Sequence, residues 1–207
     1  MRLILVRHGV TLNNQQARYT GQSDVPLSEL GERQAAMVGK RLAEEPLDVI
    51  VASDLQRARA TAEAIAGHHA LPVHEDTALR EISFGAWEGA TFAEVLARDE
   101  ALVKLWRTDP LNNAPHGGET ISQVRDRVVD ALKRWQSQYP EATVVWATHG
   151  GVIGITICHV LGIDLNNRWK FHCDTASITE IDLGRDYAIL MRMNDTAHLN
   201  GLRIVEV

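Results

Sequence analysis

The chain has 207 residues, of which 45% are hydrophobic and 23% are charged, and its formal net charge is -6 at pH 7. This composition is typical of a globular protein that can bury a core without disulfides or a structural metal. An acidic chain is a poor match for broad nucleic-acid binding, which depends on clustered Lys and Arg. An anion can still bind, but only where positive groups are concentrated locally.

Three further features bear on where the protein acts. Cys158 and Cys173 lie in apolar or structured segments and have no CxxC partner, so we expect buried thiols in a reducing compartment. Residues 2–6 are too short for the apolar region of a signal peptide, and no apolar run approaches the roughly 18 residues that span a membrane. We therefore expect a cytoplasmic protein with no membrane partner.

The first part of the chain alternates apolar runs with amphipathic stretches. A continuous apolar run such as RLILV at residues 2–6 indicates a strand that is buried on both faces. Ser28 is a suitable N-cap for the first long helix. The predicted elements are a strand at 2–6, a loop at 11–28, a helix at 29–45, a strand at 48–53, a helix at 54–69 and a short strand at 72–75.

The second part continues the pattern after an irregular stretch at 77–89. Apolar residues from Val124 to Trp135 recur at spacings of three and four, which is typical of a long helix. The predicted elements are two helical patterns between 92 and 107, a loop at 109–119, a helix at 120–138, a strand at 143–148, a helix at 151–163 and a hairpin of strands at 177–183 and 187–193.

Strands that alternate with helices predict an α/β fold, here a doubly wound, mostly parallel sheet with helices on both faces. We expect a single domain over residues 1–207, in which a small helical insert at about 92–118 forms part of a substrate pocket. Ligands bind such sheets outside the carboxyl ends of the strands. Basic or imidazole side chains follow three of the apolar strands at that edge: Arg7 and His8, Arg57, and His149.

Four motifs in order carry a family resemblance: RHGVT at 7–11, SDLQRARATA at 53–62, LREISFGAWEG at 79–89 and THGGVI at 148–153. They resemble the histidine phosphatase superfamily, the phosphoglycerate mutase-like proteins. A lone RHG would be weak evidence, whereas four motifs at or just after strand ends are specific. The resemblance extends over nearly the whole chain, through GQSDVPLSELGERQA, PHGGET, SITEID and NDTAHL.

The chemistry of these residue types agrees with the resemblance. The planar fork of Arg matches two phosphate oxygens, so Arg7 and Arg57 can surround a phosphoryl group together with His149. A neutral imidazole is a nucleophile near pH 7. The resemblance implies that His8 is this nucleophile, with one ring nitrogen held by a backbone carbonyl. No metal is needed, because the arginines and His149 supply the positive charge, and no metal-ligand spacing is visible.

The resemblance also implies a general acid, Glu81, although Glu88 in the same motif is the alternative. It places secondary phosphate or substrate contacts at Asn14, Thr20 and Gly21. His116, in the loop at 109–119, is either a substrate contact or a solvated loop residue.

One position departs from the family pattern. Val10 stands where the family usually has Glu or Gln after RHG. Val10 offers no charge or amide to the site, so we interpret it as a change behind the residues that touch substrate.

We therefore expect a metal-independent phosphomonoesterase without a cofactor, whose substrate is a small phosphorylated metabolite. One rival is a phosphoglycerate mutase, which returns the phosphoryl group to substrate; the modest size of the insert favours hydrolysis. A second rival is a non-catalytic binding protein on the same fold, which would typically have lost the nucleophile or the acid. The sequence names no particular ester and leaves a homodimer open.

Overall fold

The computed structural model describes residues 1–202, so the last five residues of the expected domain lie outside it. Its strands are β1 (Arg2–Arg7), β2 (Val49–Ala52), β3 (Val73–Glu75), β4 (Thr143–Thr148), β5 (Ile178–Leu183) and β6 (Ala188–Asp195). Its α-helices are α1 (Leu12–Gln15), α2 (Glu29–Leu42), α3 (Gln56–Ala66), α4 (Phe92–Thr108), α5 (Ile121–Gln138) and α6 (Gly150–Val160). Short 3-10 helices lie at Thr77–Leu79, Gly85–Trp87, Leu165–Lys170 and Ala197–Leu199.

The six strands form one sheet in the order β3-β2-β4-β1-β5-β6. β1 to β4 run parallel to one another, whereas β5 is antiparallel to β1 and β6 is antiparallel to β5. The mostly parallel sheet and the late hairpin predicted from the sequence are confirmed. Because β1 pairs with β4 from Arg2 to Arg7, the residues that follow these two strands emerge side by side.

Helices cover both faces of the sheet, as the apolar character of β1 predicts. Leu3 and Leu5 point into a core that includes residues of α5 and α6. Ile4 and Val6 alternate with them and enter a second core that includes residues of α2 and α3. The central strand is thus buried on both sides, and only its end is available to a ligand.

Two stretches differ from or refine the sequence expectation. The loop expected at 11–28 contains the one-turn helix α1, whose N-cap Thr11 accepts a hydrogen bond from Asn14 N at 3.2 Å. Such a short helix has no room for an apolar period, so the sequence could not show it. The two helical patterns expected between 92 and 107 are confirmed, because α4 is broken by non-helical backbone at Asp99.

The backbone after β1 lies directly against the first turn of α2. A Cβ on Gly9 would stand 2.4 Å from Gly31 O, and one on Gly31 would stand 2.1 Å from Val10 O. Val10 N also donates to Gln34 Oε1 at 2.8 Å, and the Val10 side chain is fully buried. Glycine at both positions therefore permits a backbone contact that holds the turn after His8.

The expected thiols are confirmed: Cys158 and Cys173 are both free and buried. Within residues 1–202, every helix is too short or too polar to cross a membrane.

Candidate active site

The carboxyl edge of the sheet gathers the predicted site residues around a cavity of about 480 Å³. Arg7, His8, Arg57 and Glu81 all line this cavity. His149 does not line it, but its ring lies edge-on to that of His8, with 5.1 Å between the ring centroids. The remaining wall consists of Asn14, Gln15, Ala17, Arg18, Tyr19, Thr20, Gly21, Phe84 and Phe92.

His8 is held as a neutral imidazole with a defined tautomer. Its Nδ1 lies 2.7 Å from Gly9 O, and because a carbonyl only accepts, Nδ1 carries the proton and Nε2 carries the lone pair. Burial, then the charges of Arg57 and Arg7, hold the pKa of His8 well below its usual range. The ring is therefore unprotonated at Nε2 near neutral pH, as a nucleophile must be.

The backbone that carries His8 is fixed by bonds from three other segments. His8 N donates to Thr148 O at 2.9 Å, and Gly9 N donates to Thr61 Oγ1 at 3.2 Å. Ala176 N lies 3.1 Å from the carbonyl of Arg7 and 3.0 Å from that of His8. The turn after β1 therefore has little freedom to move.

Arg57 is 1% exposed and is solvated by backbone carbonyls. Its Nη2 donates to Gly21 O at 2.6 Å and its Nη1 donates to Ser23 O at 2.9 Å. Burial lowers the pKa of Arg57, although a guanidinium stays charged at any ordinary pH. Its buried Nε has no hydrogen-bond partner among residues 1–202, so one N–H of this cation is not used by the protein described here.

Arg7 and His149 lie at the same end of the site as His8 and Arg57. Arg7 Nη1 donates to Cys173 O at 2.6 Å. His149 is completely buried, and neither ring nitrogen has a hydrogen-bond partner in the described part of the chain. Burial, then the charges of Arg57 and His8, hold the pKa of His149 well below its usual range. A neutral His149 therefore carries one N–H, for which the described part of the chain offers no acceptor.

The two carboxylates that the sequence left open have different surroundings. Glu81 lines the cavity, and its Oε2 accepts from Gly151 N, at the start of α6, at 3.2 Å. Glu88 instead accepts from Gln22 N at 3.0 Å and from Ser23 N at 2.7 Å. Glu88 thus holds the loop that supplies carbonyls to Arg57, whereas Glu81 is the one of the two carboxylates that lines the cavity.

Of the other predicted substrate contacts, three line the cavity and one does not. Asn14, Thr20 and Gly21 line the cavity. His116 is exposed and is absent from the described lining, although its carbonyl accepts from Ala86 N at 2.9 Å. A substrate contact through the His116 side chain therefore stays a prediction.

Sequence reasoning missed the outer wall of the cavity. Tyr19 and Phe84 pack together there, with 4.9 Å between their ring centroids, and Phe92 is the part of the expected insert that lines the cavity. Arg18 lies in the same wall and pairs with Glu94 at 3.2 Å. The aromatic residues in and beside the motif at 79–89 were the sequence signal that could have predicted this wall. Nothing in the sequence distinguishes Arg18 as a lining residue. No set of three or more His, Cys, Asp or Glu within residues 1–202 is placed to hold a metal ion.

Comparison with known proteins identifies the family. Residues 3–196 match the model of the histidine phosphatase superfamily (branch 1). The chain belongs to this superfamily. Its relatives include phosphoserine phosphatase 1 of Hydrogenobacter thermophilus, which is 34% identical over 199 residues, covering 96% of this chain and 94% of the relative. Glucosyl-3-phosphoglycerate phosphatase of Mycolicibacterium vanbaalenii is 38% identical over 173 residues, covering 80% and 76%.

Solved structures of the histidine phosphatase superfamily show the same fold. The mycobacterial glucosyl-3-phosphoglycerate phosphatase in complex with VO3 superposes with a TM-score of 0.87 at 33% identity, covering 94% of this chain and 99% of that one. A phosphoserine phosphatase mutant from Entamoeba histolytica, in complex with phosphoserine, superposes with a TM-score of 0.86 at 29% identity, covering 96% and 98%. The protein is a phosphoric monoester hydrolase of this superfamily.

The buried histidines predict how stability depends on pH. Because burial depresses the folded-state pKa of His8 and His149, below about pH 6.5 the unfolded chain binds protons that the folded one does not. Stability is therefore lost as pH falls. Each histidine contributes at most one proton, or roughly 1 to 1.5 kcal/mol per pH unit. Urea denaturation of the wild type and of His8→Asn between pH 5 and 7 should show a shallower slope in the variant.

The matched control is His68→Asn, because His68 is exposed at the surface. That control should keep the wild-type slope. A wild-type slope in His8→Asn as well would show that His8 is not held neutral by the fold.

Proposed function

We propose that the protein hydrolyses a small phosphate monoester through a phosphohistidine on His8, without a metal ion. The observation that carries this proposal is that a neutral imidazole with its lone pair on Nε2 lines the same cavity as two arginines and a carboxyl group. Arg7 and Arg57 bring two positive charges to this cavity and can donate N–H groups to the phosphoryl oxygens. Glu81 lies in the same wall and can serve the leaving group.

In the first half-reaction, His8 Nε2 forms a bond to phosphorus while the bond from phosphorus to the ester oxygen breaks. The leaving oxygen takes a proton from Glu81, so an alcohol departs and Glu81 becomes a carboxylate. Arg7, Arg57 and the N–H of His149 stabilise the charge that builds on the phosphoryl oxygens.

In the second half-reaction, Glu81 accepts a proton from water as the water oxygen attacks phosphorus. The phosphorus–nitrogen bond breaks, and its electron pair returns to Nε2. Inorganic phosphate leaves, and both His8 and Glu81 regain their starting protonation states. The hydrogen bond to Gly9 keeps the proton on Nδ1 throughout.

The cavity and the relatives together suggest which esters to test first. A volume of about 480 Å³ suits a small metabolite, and the aromatic wall of Tyr19, Phe84 and Phe92 can contact its carbon skeleton. Phosphoserine and glucosyl-3-phosphoglycerate, the substrates named for two relatives, are the first candidates. Release of free phosphate from 3-phosphoglycerate would distinguish hydrolysis from the mutase reaction.

His8→Ala should abolish turnover and leave the fold intact. Loss of a nucleophile normally costs several orders of magnitude, so we expect less than about a thousandth of wild-type activity. Rapid quench with radiolabelled p-nitrophenyl phosphate should trap an acid-labile phosphoenzyme in the wild type and none in the variant. His68→Ala is the control; a labelled His8→Ala protein would contradict the assignment.

Glu81→Gln should slow esters with poor leaving groups far more than esters with good ones. An alkoxide needs a proton in the transition state, whereas p-nitrophenolate leaves without much help. We expect a loss of about 10²-fold or more in kcat/KM for a sugar phosphate and a much smaller loss for p-nitrophenyl phosphate. The ratio kcat/KM is used because it excludes the later hydrolysis of the phosphoenzyme.

Glu88→Gln is the matched control, because Glu88 holds the loop that supports Arg57 and has no position in the cavity wall. Disturbing Arg57 should lower kcat/KM for both esters by similar factors. Similar factors for the two esters in Glu81→Gln would instead mean that Glu81 is not the acid.

Activity should survive dialysis against EDTA, because the guanidinium groups of Arg7 and Arg57 already supply the positive charge that a metal would bring. Hydrolysis of p-nitrophenyl phosphate before and after chelation is the measurement. A loss of activity that Mg²⁺ or Zn²⁺ restores would disprove the metal-free mechanism.

A further inference from the structure

Glu81 occupies a part of the chain that no long element stabilises. It lies between the 3-10 helices Thr77–Leu79 and Gly85–Trp87, outside every strand and α-helix. A proton donor must nevertheless stay within a fraction of an ångström of its working position, and a displacement of about 1 Å can cost 10²-fold in rate. Some other part of the structure must therefore hold this segment.

Arg127, on α5, binds the backbone of this segment from one side. Its Nη1 donates to Ala78 O at 2.8 Å and to Arg80 O at 2.7 Å, and its Nη2 donates to Glu81 O at 3.0 Å. These three carbonyls bracket the peptide that carries Glu81. The single guanidinium of Arg127 thus fixes the backbone that carries Glu81. Arg127 itself does not line the cavity.

Glu119 holds Arg127 in place and binds the same segment further along. It accepts from Arg127 Nε and Nη2, both at 2.9 Å, and from Ser83 N at 2.9 Å. Burial pushes the pKa of Glu119 up, but the bonds from Arg127 and Ser83 outweigh it, so the net pKa lies below the usual range. Glu119 therefore stays charged, and the pair keeps its bidentate geometry.

The pair also joins the acid to the loop that supports Arg57. Gln22 Nε2 donates both to Glu119 Oε2, at 3.0 Å, and to Glu81 O, at 3.2 Å. Gln22 stands between Gly21 and Ser23, whose carbonyls receive the guanidinium of Arg57. One network thus sets the acid relative to the groups that bind phosphate.

We propose that the ion pair of Arg127 and Glu119 is the positioning device of the general acid, holding the backbone at 78–83 so that the Glu81 carboxyl meets the leaving oxygen. The proposal rests on the proposed function, because it assumes that Glu81 is the acid. Neither Arg127 nor Glu119 lines the cavity, so in this proposal both act through Glu81 and are positioning residues.

The first experiment replaces the fork and keeps the charge. Arg127→Lys cannot hold three carbonyls and a carboxylate at once, so the acid should lose its position. We expect kcat/KM to fall about 10²-fold for a sugar phosphate and less than about 10-fold for p-nitrophenyl phosphate. Arg125→Lys, an exposed arginine on the same helix that bonds Asp126, is the matched control and should change neither. Equal losses for the two esters in folded Arg127→Lys, or no loss, would overturn the proposal.

A double-mutant cycle tests whether the effect passes through the acid. In the Glu81→Gln background, Arg127→Lys should no longer change the ratio between the two esters. A further change in that ratio would show that Arg127 acts by another route and would overturn the proposal. If Glu81→Gln alone lowers both esters equally, the acid assignment of the proposed function fails.

Hydrogen exchange of the peptide that spans 78–83 tests, independently of activity, whether Arg127 and Glu119 hold this backbone. Exchange should be faster in Arg127→Lys than in the wild type and in Arg125→Lys, and unchanged exchange would overturn the proposal. Should Arg127→Lys not fold, Glu119→Gln replaces it in all three measurements. Glu119→Gln keeps the size of the side chain and removes the charge that orients Arg127. For each measurement, the result expected of Arg127→Lys and the result that would overturn the proposal are the same for Glu119→Gln.

Discussion

A guanidinium buried at the end of a parallel sheet is the constraint on which the rest of this site depends. Arg57 is almost fully withdrawn from water, and its terminal nitrogens are met by the carbonyls of Gly21 and Ser23. Carbonyl dipoles solvate a cation without cancelling its charge. The field of Arg57 therefore reaches its neighbours, where it adds to burial in keeping His8 and His149 unprotonated. In the proposed mechanism, the charge that attracts a phosphate is therefore also the charge that keeps His8 unprotonated.

This arrangement explains why three glutamates near one cavity serve different purposes. A carboxylate that faced Arg57 directly would neutralise the charge that phosphate needs. Glu88 and Glu119 instead bind backbone N–H groups and side chains behind the cavity wall, which fixes loops without occupying the anion site. Glu81 alone of the three lines the cavity. Placement, and not residue type, separates the proposed acid Glu81 from the two glutamates that hold loops.

The sequence predicted the positions of those site residues that are adjacent to strand ends along the chain. Arg7 is the last residue of β1, and His8 and His149 come directly after β1 and β4. Because a parallel sheet brings these strand ends to one edge, the sequence predicts that the three side chains lie close together. Arg57, in the first turn of α3, follows from the same reasoning. The runs of apolar residues that are buried on both faces likewise predicted the sheet and its two helical layers.

The parts that could not be predicted depend on contacts between distant segments. The irregular stretch around Glu81 has no period, so its orientation follows from contacts such as that of Arg127, which lies 46 residues further along the chain. Nothing in the α5 pattern distinguishes Arg127 from the other charged residues on that helix. The motif alone does not distinguish Glu88 from Glu81. The hydrogen bonds that Glu88 accepts from Gln22 N and Ser23 N do, and they join segments that are far apart in the sequence. The aromatic wall of Tyr19 and Phe84 joins two loops that only the folded chain brings together.

The contact between Gly9 and Gly31 bears on how this enzyme can diversify. Both positions meet backbone atoms, so no substitution elsewhere can make room for a side chain there. The backbone turn directly after His8 thus tolerates no side chain at either glycine, whatever ester the cavity binds. The outer wall is different, because Phe84 and Phe92 line the cavity and contact side chains, those of Trp106 and Arg107, so a substitution there meets no backbone obstacle of this kind. The fold in this way places a backbone that cannot take side chains beside His8 and a wall of replaceable side chains at the mouth of the same cavity.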